Sequence, residues 1–169
     1  MQTDTIWMRR FGRVQYEPVF HKMIEFARRR SSATPDEIWI VEHDPVFTLG
    51  QAADKTHVLD PHGIPVYETD RGGEVTYHGP GQLVVYLLID LKRRFSKLPV
   101  RELVFKIEGA IIRTLSAFDI VGERRTGAPG VYLPAGPVYG NNQGAKIAAL
   151  GLKIKNNGCM YHGFALNVA

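Results

Sequence analysis

The chain has 169 residues, 44% hydrophobic and 22% charged, with a formal net charge of +4. That length suits one domain with a sizeable core, and the composition excludes a low-complexity or disordered chain. A single cysteine, Cys159, excludes an internal disulfide and a cysteine-rich zinc site, and the longest apolar run, Leu83–Ile89, is strand-sized and too short for a membrane span.

The opening stretch MQTDTIWMRRFGR has no apolar run long enough for a secretory signal, so a reducing cytoplasm is the expected location. Thr5–Arg9 reads as a first strand. Val14–Arg30 reads as a helix with Val14, Val19, Phe20, Met23, Ile24 and Ala27 on one side and arginines at its C-terminal end, where cations suit the macrodipole. Glu37–His43 alternates like a half-buried strand, and PVFTLGQ is a further short β-like run. Ile64–Glu68 and Glu74–His78 are expected to be strands flanking the Gly72-Gly73 turn. Gln82–Asp90 is apolar on both faces, as a central strand would be.

Pro99 opens a second helix, in which Val100, Leu103, Val104, Ile107, Ile111, Leu115 and Phe118 recur at helical spacing. Val131–Leu133, Ala145–Lys153 and Met160–Val168 read as strands. Few helices among many short strands predict an α+β fold, one domain over 1–169, with helices on one side of a mixed, largely antiparallel sheet. The basic pairs and runs at Arg9–Arg10, Arg28–Arg30, Lys92–Arg94, Arg124–Arg125 and Lys153/Lys155 read as solvated surface. A partner that used them would be acidic, and no motif supports nucleic acid.

Three stretches carry candidate chemistry. In RGGEVTYHGPGQLVVY the glycines let the backbone take positive φ and approach a ligand. There Arg71 is a charged fork able to hold a carboxylate or phosphate, and His78 suits a base, a donor or a packing residue. The alternative is a tight hairpin whose glycines only turn the chain. The stretch is neither a P-loop nor a dinucleotide fingerprint.

Lys146 lies in a run of small and apolar residues, and period two puts it on the face of Ala148 and Leu150. A lysine on a buried face must be paired or have its pKa lowered, either of which suits a functional amine; otherwise it snorkels from an edge strand. Cys159 reads as a small buried apolar residue rather than a nucleophile. Tyr161-His162-Gly163 echoes Tyr77-His78-Gly79, so both segments are candidates to face one cleft. No metal site is assigned, because His78 and His162 lack a third ligand at a recognisable spacing.

Five blocks in order, EHDPVFTLGQAAD, DRGGEVTYHGPGQLVVYLLIDL, VRELVFKIEGAIIRTL, GAPGVYL and KIAALGLKIKNNGCMYHGFALNV, resemble the bacterial octanoyltransferases of lipoate biosynthesis. The resemblance runs from Trp7 to Ala169 and implies a two-layer fold like that of biotin and lipoate protein ligases. It implies transfer of an octanoyl group from octanoyl-acyl carrier protein to a lysine of lipoyl domains, in 2-oxoacid dehydrogenases and the glycine cleavage H protein. In that chemistry a cysteine thiolate forms an acyl-thioester intermediate, and a lysine matching Lys146 lowers the cysteine's pKa.

The resemblance further implies an acyl pocket from Arg71, Gly72, Gly73, Glu74, Val75, Thr76, Tyr77 and His78, from Ala149, Leu150 and Gly151, and from Gly163, Phe164 and Ala165. No cofactor is expected, since a thioester is already activated, and the eight-carbon tail would contribute about 0.8 kcal/mol per buried CH₂. In the family the nucleophilic cysteine follows the HGFALNV-like strand, so the expectation is that these 169 residues stop short of that segment. Cys159 does not match it. Two rival readings are an ATP-dependent lipoate- or biotin-type protein ligase and a non-catalytic module that binds the acyl carrier or a lipoyl domain.

Overall fold

The computed structural model describes residues 5–95 and 97–169. In chain order its elements are β1 (Ile6–Val14), α1 (Tyr16–Arg29), β2 (Asp36–His43), β3 (Val46–Leu49), β4 (Val66–Glu68), β5 (Val75–His78), β6 (Gln82–Asp90) and the short α2 (Leu91–Arg94). There follow α3 (Val100–Ser116), β7 (Glu123–Arg125), β8 (Ala128–Tyr132), β9 (Lys146–Ile154) and β10 (Cys159–Asn167). The chain divides into two compact units, one of Met1–Ser96 with Gly151–Ala169 and one of Lys97–Leu150.

In the first unit four strands lie in the order β1-β2-β6-β10. β1 and β2 are parallel, joined through α1, while β2–β6 and β6–β10 are antiparallel. β6 is therefore central, as its two apolar faces predict. β1 runs on to Val14, five residues past the expected end, because an irregularity in register between Arg10 and Gly12 lets the pairing continue. Helix α1 buries Tyr16, Val19, Met23 and Ala27, a single stripe at helical spacing. Val19, Met23 and Ala27 pack with Trp39, Val41, Val84, Tyr86, Leu88, Cys159, Tyr161 and Ala165 into one core.

A second small sheet in this unit has the order β4-β3-β5, with β3–β4 parallel and β3–β5 antiparallel. The two strands flanking Gly72-Gly73 are thus not a hairpin: β3 lies between them. Its run Val46–Leu49, with three of four residues buried, outcompetes the two flanking strands for the central place.

The expectation of solvated arginines also needs correcting. Asp36, fully buried, is met by Arg30 Nη2, Arg93 Nη2 and Arg94 Nε, each at 2.6 Å. It also accepts the Asp90 backbone N–H at 2.8 Å. Burial opposes ionisation of Asp36, but these donors hold its carboxyl below the usual range. The two arginine runs thus join α1, β2 and α2 around one carboxylate.

In the second unit α3 buries Leu103, Ile107, Ile111 and Leu115 and packs on β8, where Val131 and Tyr132 are buried. β7, β8 and the first part of β9 pair antiparallel. The fold is α+β with a mixed, largely antiparallel strand arrangement, as predicted. No helix among the described residues is long and apolar enough to cross a membrane.

Candidate active site

The glycine-rich loop is built from backbone meeting backbone. After β3, Gly50 N, Gln51 N and Ala52 N donate to Glu74 O, Arg71 O and Gly73 O at 3.2, 2.9 and 3.2 Å. A Cβ on Gly50 would stand 2.1 Å from Gly73 O, so no other residue fits there. On another side Gly72 N donates to Leu152 O at 3.0 Å. What the glycines bring close is first of all a neighbouring strand end, not a ligand.

Arg71 is buried and locks this arrangement. Its Nη1 donates to Gly72 O at 3.0 Å, and its Nη2 to Thr48 O at 2.7 Å and Glu74 O at 2.8 Å. Nε and Nη2 both reach Thr48 Oγ1. The guanidinium expected to hold a carboxylate or phosphate is turned inward and holds its own loop. Gly73 and Glu74 stay exposed, and Gly72, Val75 and Thr76 are half-buried. The ring of Tyr77, exposed, pairs with Phe47 at 5.4 Å.

His78, at the end of β5, is buried. Gln82 Nε2 donates to Asn167 Oδ1 at 2.9 Å and Tyr77 O at 3.3 Å, which turns its Oε1 toward His78 Nδ1. Nδ1 therefore carries the proton and Nε2 is bare. Burial, opposed by the Gln82 bond, pushes the His78 pKa down to about 4, so the imidazole is neutral.

Two further histidines, His43 and His162, share this region, and the ring of Tyr16 joins His43 to His78, lying 5.2 Å from the one and 6.3 Å from the other. His43, fully buried, donates from Nδ1 to Val14 O at 3.0 Å and accepts the Tyr86 hydroxyl at Nε2, 2.8 Å away. Tyr86 in turn meets the His162 ring edge-on at 6.5 Å. The two Tyr-His-Gly segments thus reach one aromatic cluster, through Tyr16, His43 and Tyr86. Sequence reasoning missed those three; His43 stands inside the quoted EHDP block, a signal that was available.

His162 has the left-handed φ of 60°, rare for a residue with a Cβ. It is held there by Nε2 on Asp70 Oδ1 at 2.8 Å and by its backbone N–H on Met23 Sδ at 3.3 Å. The Tyr161 hydroxyl donates to the other Asp70 oxygen. Gly163 and Ala165 are buried on β10 opposite Tyr86 and Val84, with Phe164 half-buried opposite Val85. Gly151 abuts the loop: a Cβ on it would lie 2.9 Å from Gly72 O.

In the second unit Ala149 and Leu150 are half-buried on β9. Lys146 shares the face of buried Ala148, as period two predicts, but is itself exposed at the start of β9, opposite Tyr132. Its Nζ donates to Pro129 O at 3.2 Å and sits 5.1 Å from the centre of the Tyr132 ring. Ala148, two residues on and on the same face, is fully buried; Lys146 escapes that cover because the strand begins at this residue.

Cys159 is 1% exposed, and burial raises its thiol pKa despite Arg30 nearby. Both facts oppose a reactive thiolate. No group of three or more His, Cys, Asp or Glu side chains among the described residues is arranged to hold a metal.

Residues 20–169 match the family model described as the lipoyl protein ligase A/B catalytic domain. The octanoyltransferase of Herminiimonas arsenicoxydans is 60% identical over 164 residues, 96% of this chain and 74% of that protein. The octanoyltransferase of Janthinobacterium sp. (strain Marseille) is 62% identical over 160 residues, covering 94% and 72%. Among solved structures, a bipartite lipoate protein ligase from Thermoplasma acidophilum superposes with a TM-score of 0.70 at 15% identity. That match covers 97% of this chain and 62% of the other, so this chain spans less than two thirds of that structure. A lipoate-protein ligase A bound with ATP gives 0.62 at 14%, covering 96% and 66%. At such identities the structural matches show a shared fold.

Proposed function

Because this chain belongs to the octanoyltransferases within the lipoyl protein ligase A/B catalytic family, we propose that its glycine-rich loop borders the acyl slot and that Lys146 is the ammonium that activates the acylated thiol. The reaction is octanoyl transfer in protein lipoylation, an acyltransferase activity. The donor is octanoyl-acyl carrier protein, and the acceptors are lysines of lipoyl domains in 2-oxoacid dehydrogenases and of the glycine cleavage H protein. The setting is the cytoplasm.

The chemistry runs in two balanced steps. A thiolate attacks the donor thioester carbonyl and expels the carrier's thiolate, leaving an acyl-thioester on the enzyme. The neutral acceptor amine then attacks that thioester, releasing the enzyme thiol and forming an amide. A cation beside the thiol favours its thiolate, and this is the role of Lys146. Cys159 is not that thiol.

The observation that carries the acyl slot is the rigid, bare backbone at 71–74. Arg71 holds it from within, and Gly72 and Gly73 present no side chain along it. Tyr77, neutral His78, Ala149, Leu150, Gly151 and Gly163–Ala165 are assigned as further acyl contacts.

The test presents the full product of the gene with either octanoyl-acyl carrier protein or free octanoate plus ATP, and reads octanoyl adducts by intact mass. An adduct from the carrier thioester alone supports transfer. An adduct that requires free acid and ATP identifies a ligase, and no adduct under either condition identifies a binding module.

A further inference from the structure

The second unit holds a buried carboxylate that the acyl-transfer chemistry does not use. Glu108, in the middle of α3, is 6% exposed. One of its oxygens, Oε1, accepts the Gly130 N–H at 2.9 Å; the other, Oε2, accepts Arg124 Nε at 3.1 Å. Arg124 is itself tied down, with Nη2 on Phe105 O at 3.0 Å and its guanidinium 3.8 Å from the Phe105 ring centre. The carboxylate is therefore fixed in place.

Gly130 N–H and Pro129 C=O are the two ends of one peptide group, and Pro129 O is the acceptor of the Lys146 ammonium. A negative charge on the N–H end and a positive charge on the C=O end both align with that peptide's dipole. Each hydrogen bond strengthens the other. The lysine stem is guided as well, because it crosses Gly130 at the point where a Cβ would sit 3.2 Å from Cε and 3.3 Å from Cδ. Gly130 has φ of 137°, which also favours glycine.

We infer that Glu108 is a positioning residue for Lys146, acting through the polarised Pro129–Gly130 peptide. The inference rests on the reading of Lys146 as the activating amine, but it makes a separate physical claim about how that amine is held. An exposed ammonium on a flexible stem would otherwise sample many positions, and an activating cation must keep one.

The experiment pulses the intact chain with acetic anhydride and reads the labelling of Lys146 relative to Lys106 by peptide mass spectrometry. Lys106 lies on the same helix, exposed and paired with Glu102 at 3.4 Å, and serves as the internal reference. Glu108→Gln removes the charge and keeps the shape; the Lys146/Lys106 ratio is expected to rise about threefold or more as the amine is released. Arg124→Gln leaves the Glu108 charge in place, and the ratio is expected not to rise. An unchanged ratio in Glu108→Gln, or an equal rise in both variants, overturns the proposal.

A second measurement does not depend on Glu108→Gln folding. In Lys146→Met, an exposed substitution, the Gly130 amide proton should move upfield, since the ammonium no longer polarises the shared peptide. An unmoved Gly130 resonance overturns the coupling. If labelling and resonance behave as expected while acylation by the full gene product is insensitive to Lys146, the positioning stands and the activating role falls.

Discussion

Arg71 reaches the buried hydroxyl of Thr48 through both Nε, at 3.2 Å, and Nη2, at 2.9 Å. The same guanidinium gathers the carbonyls of Thr48, Gly72 and Glu74, so one planar fork spans β3 and the glycine-rich loop. A lysine cannot reproduce that geometry with a single ammonium. Arg71→Lys is expected to cost about 2–3 kcal/mol of stability, from buried acceptors left unpaired, and to slow acylation. Urea denaturation with a parallel acylation assay checks both. A variant with unchanged stability would mean that the fork does not hold the loop.

The histidine cluster makes stability depend on pH in a defined window. Burial pushes His78 from 6.5 to about 4, and it lowers His43 and His162 as well. Between those values the unfolded chain binds more protons than the folded one, so stability rises with pH across the window. The folded state is favoured fully above about pH 6.5, loses ground as the pH falls, and His78 stops contributing to the slope below about pH 4. For His78 alone the span is about 3 kcal/mol. Denaturant midpoints between about pH 7 and pH 5 should fall in the parent and fall less in His78→Gln. Equal slopes in the two proteins would contradict the burial argument.

Asp36 is the most heavily committed carboxylate of the first unit. Asp36→Ala would leave Arg30 and Arg93, both buried, without their counter-charge. The expected loss is about 3–5 kcal/mol, read by chemical denaturation. Arg30→Met combined with Asp36→Ala should recover part of it, since one buried charge is removed with its partner. A single variant as stable as the parent would show that the cluster is not holding α1, β2 and α2 together.

Much of this arrangement was legible from residue patterns, and the misses have physical causes. The stripe of α1 and the two apolar faces of β6 announce their places because burial alone fixes them. The RGG loop announces that the backbone comes close to something, but not to what; only the register of β3 against β5 brings Gly50 to Gly73. Lys146 was misjudged because period two says which face a residue takes, not whether the strand's first residue is covered. The Asp36 cluster draws Arg30, Arg93 and Arg94 from runs far apart in the chain, and sequence-local charge patterns do not encode such convergence. Tyr16 and Tyr86 went unremarked in the sequence because their partners, His43, His78 and His162, come from three different strands.

Cys159 should behave as an inert core residue. In the native protein it is expected to resist a thiol-reactive disulfide reagent and to react fully once the chain is unfolded. Cys159→Ala should leave acylation by the full gene product unchanged at a cost of about 1 kcal/mol in stability. Octanoylation of Cys159, detected by peptide mass spectrometry, would overturn its exclusion as the nucleophile.

The most direct test of the account is the pH profile of acylation by octanoyl-acyl carrier protein in the full gene product, with Lys146 and with Lys146→Ala. If the ammonium stabilises a thiolate, the variant's profile should move to higher pH by about one unit or more, with a loss of about tenfold at neutral pH that disappears in alkali. Superimposable profiles, with equal rates at neutral pH, would contradict the role assigned to Lys146.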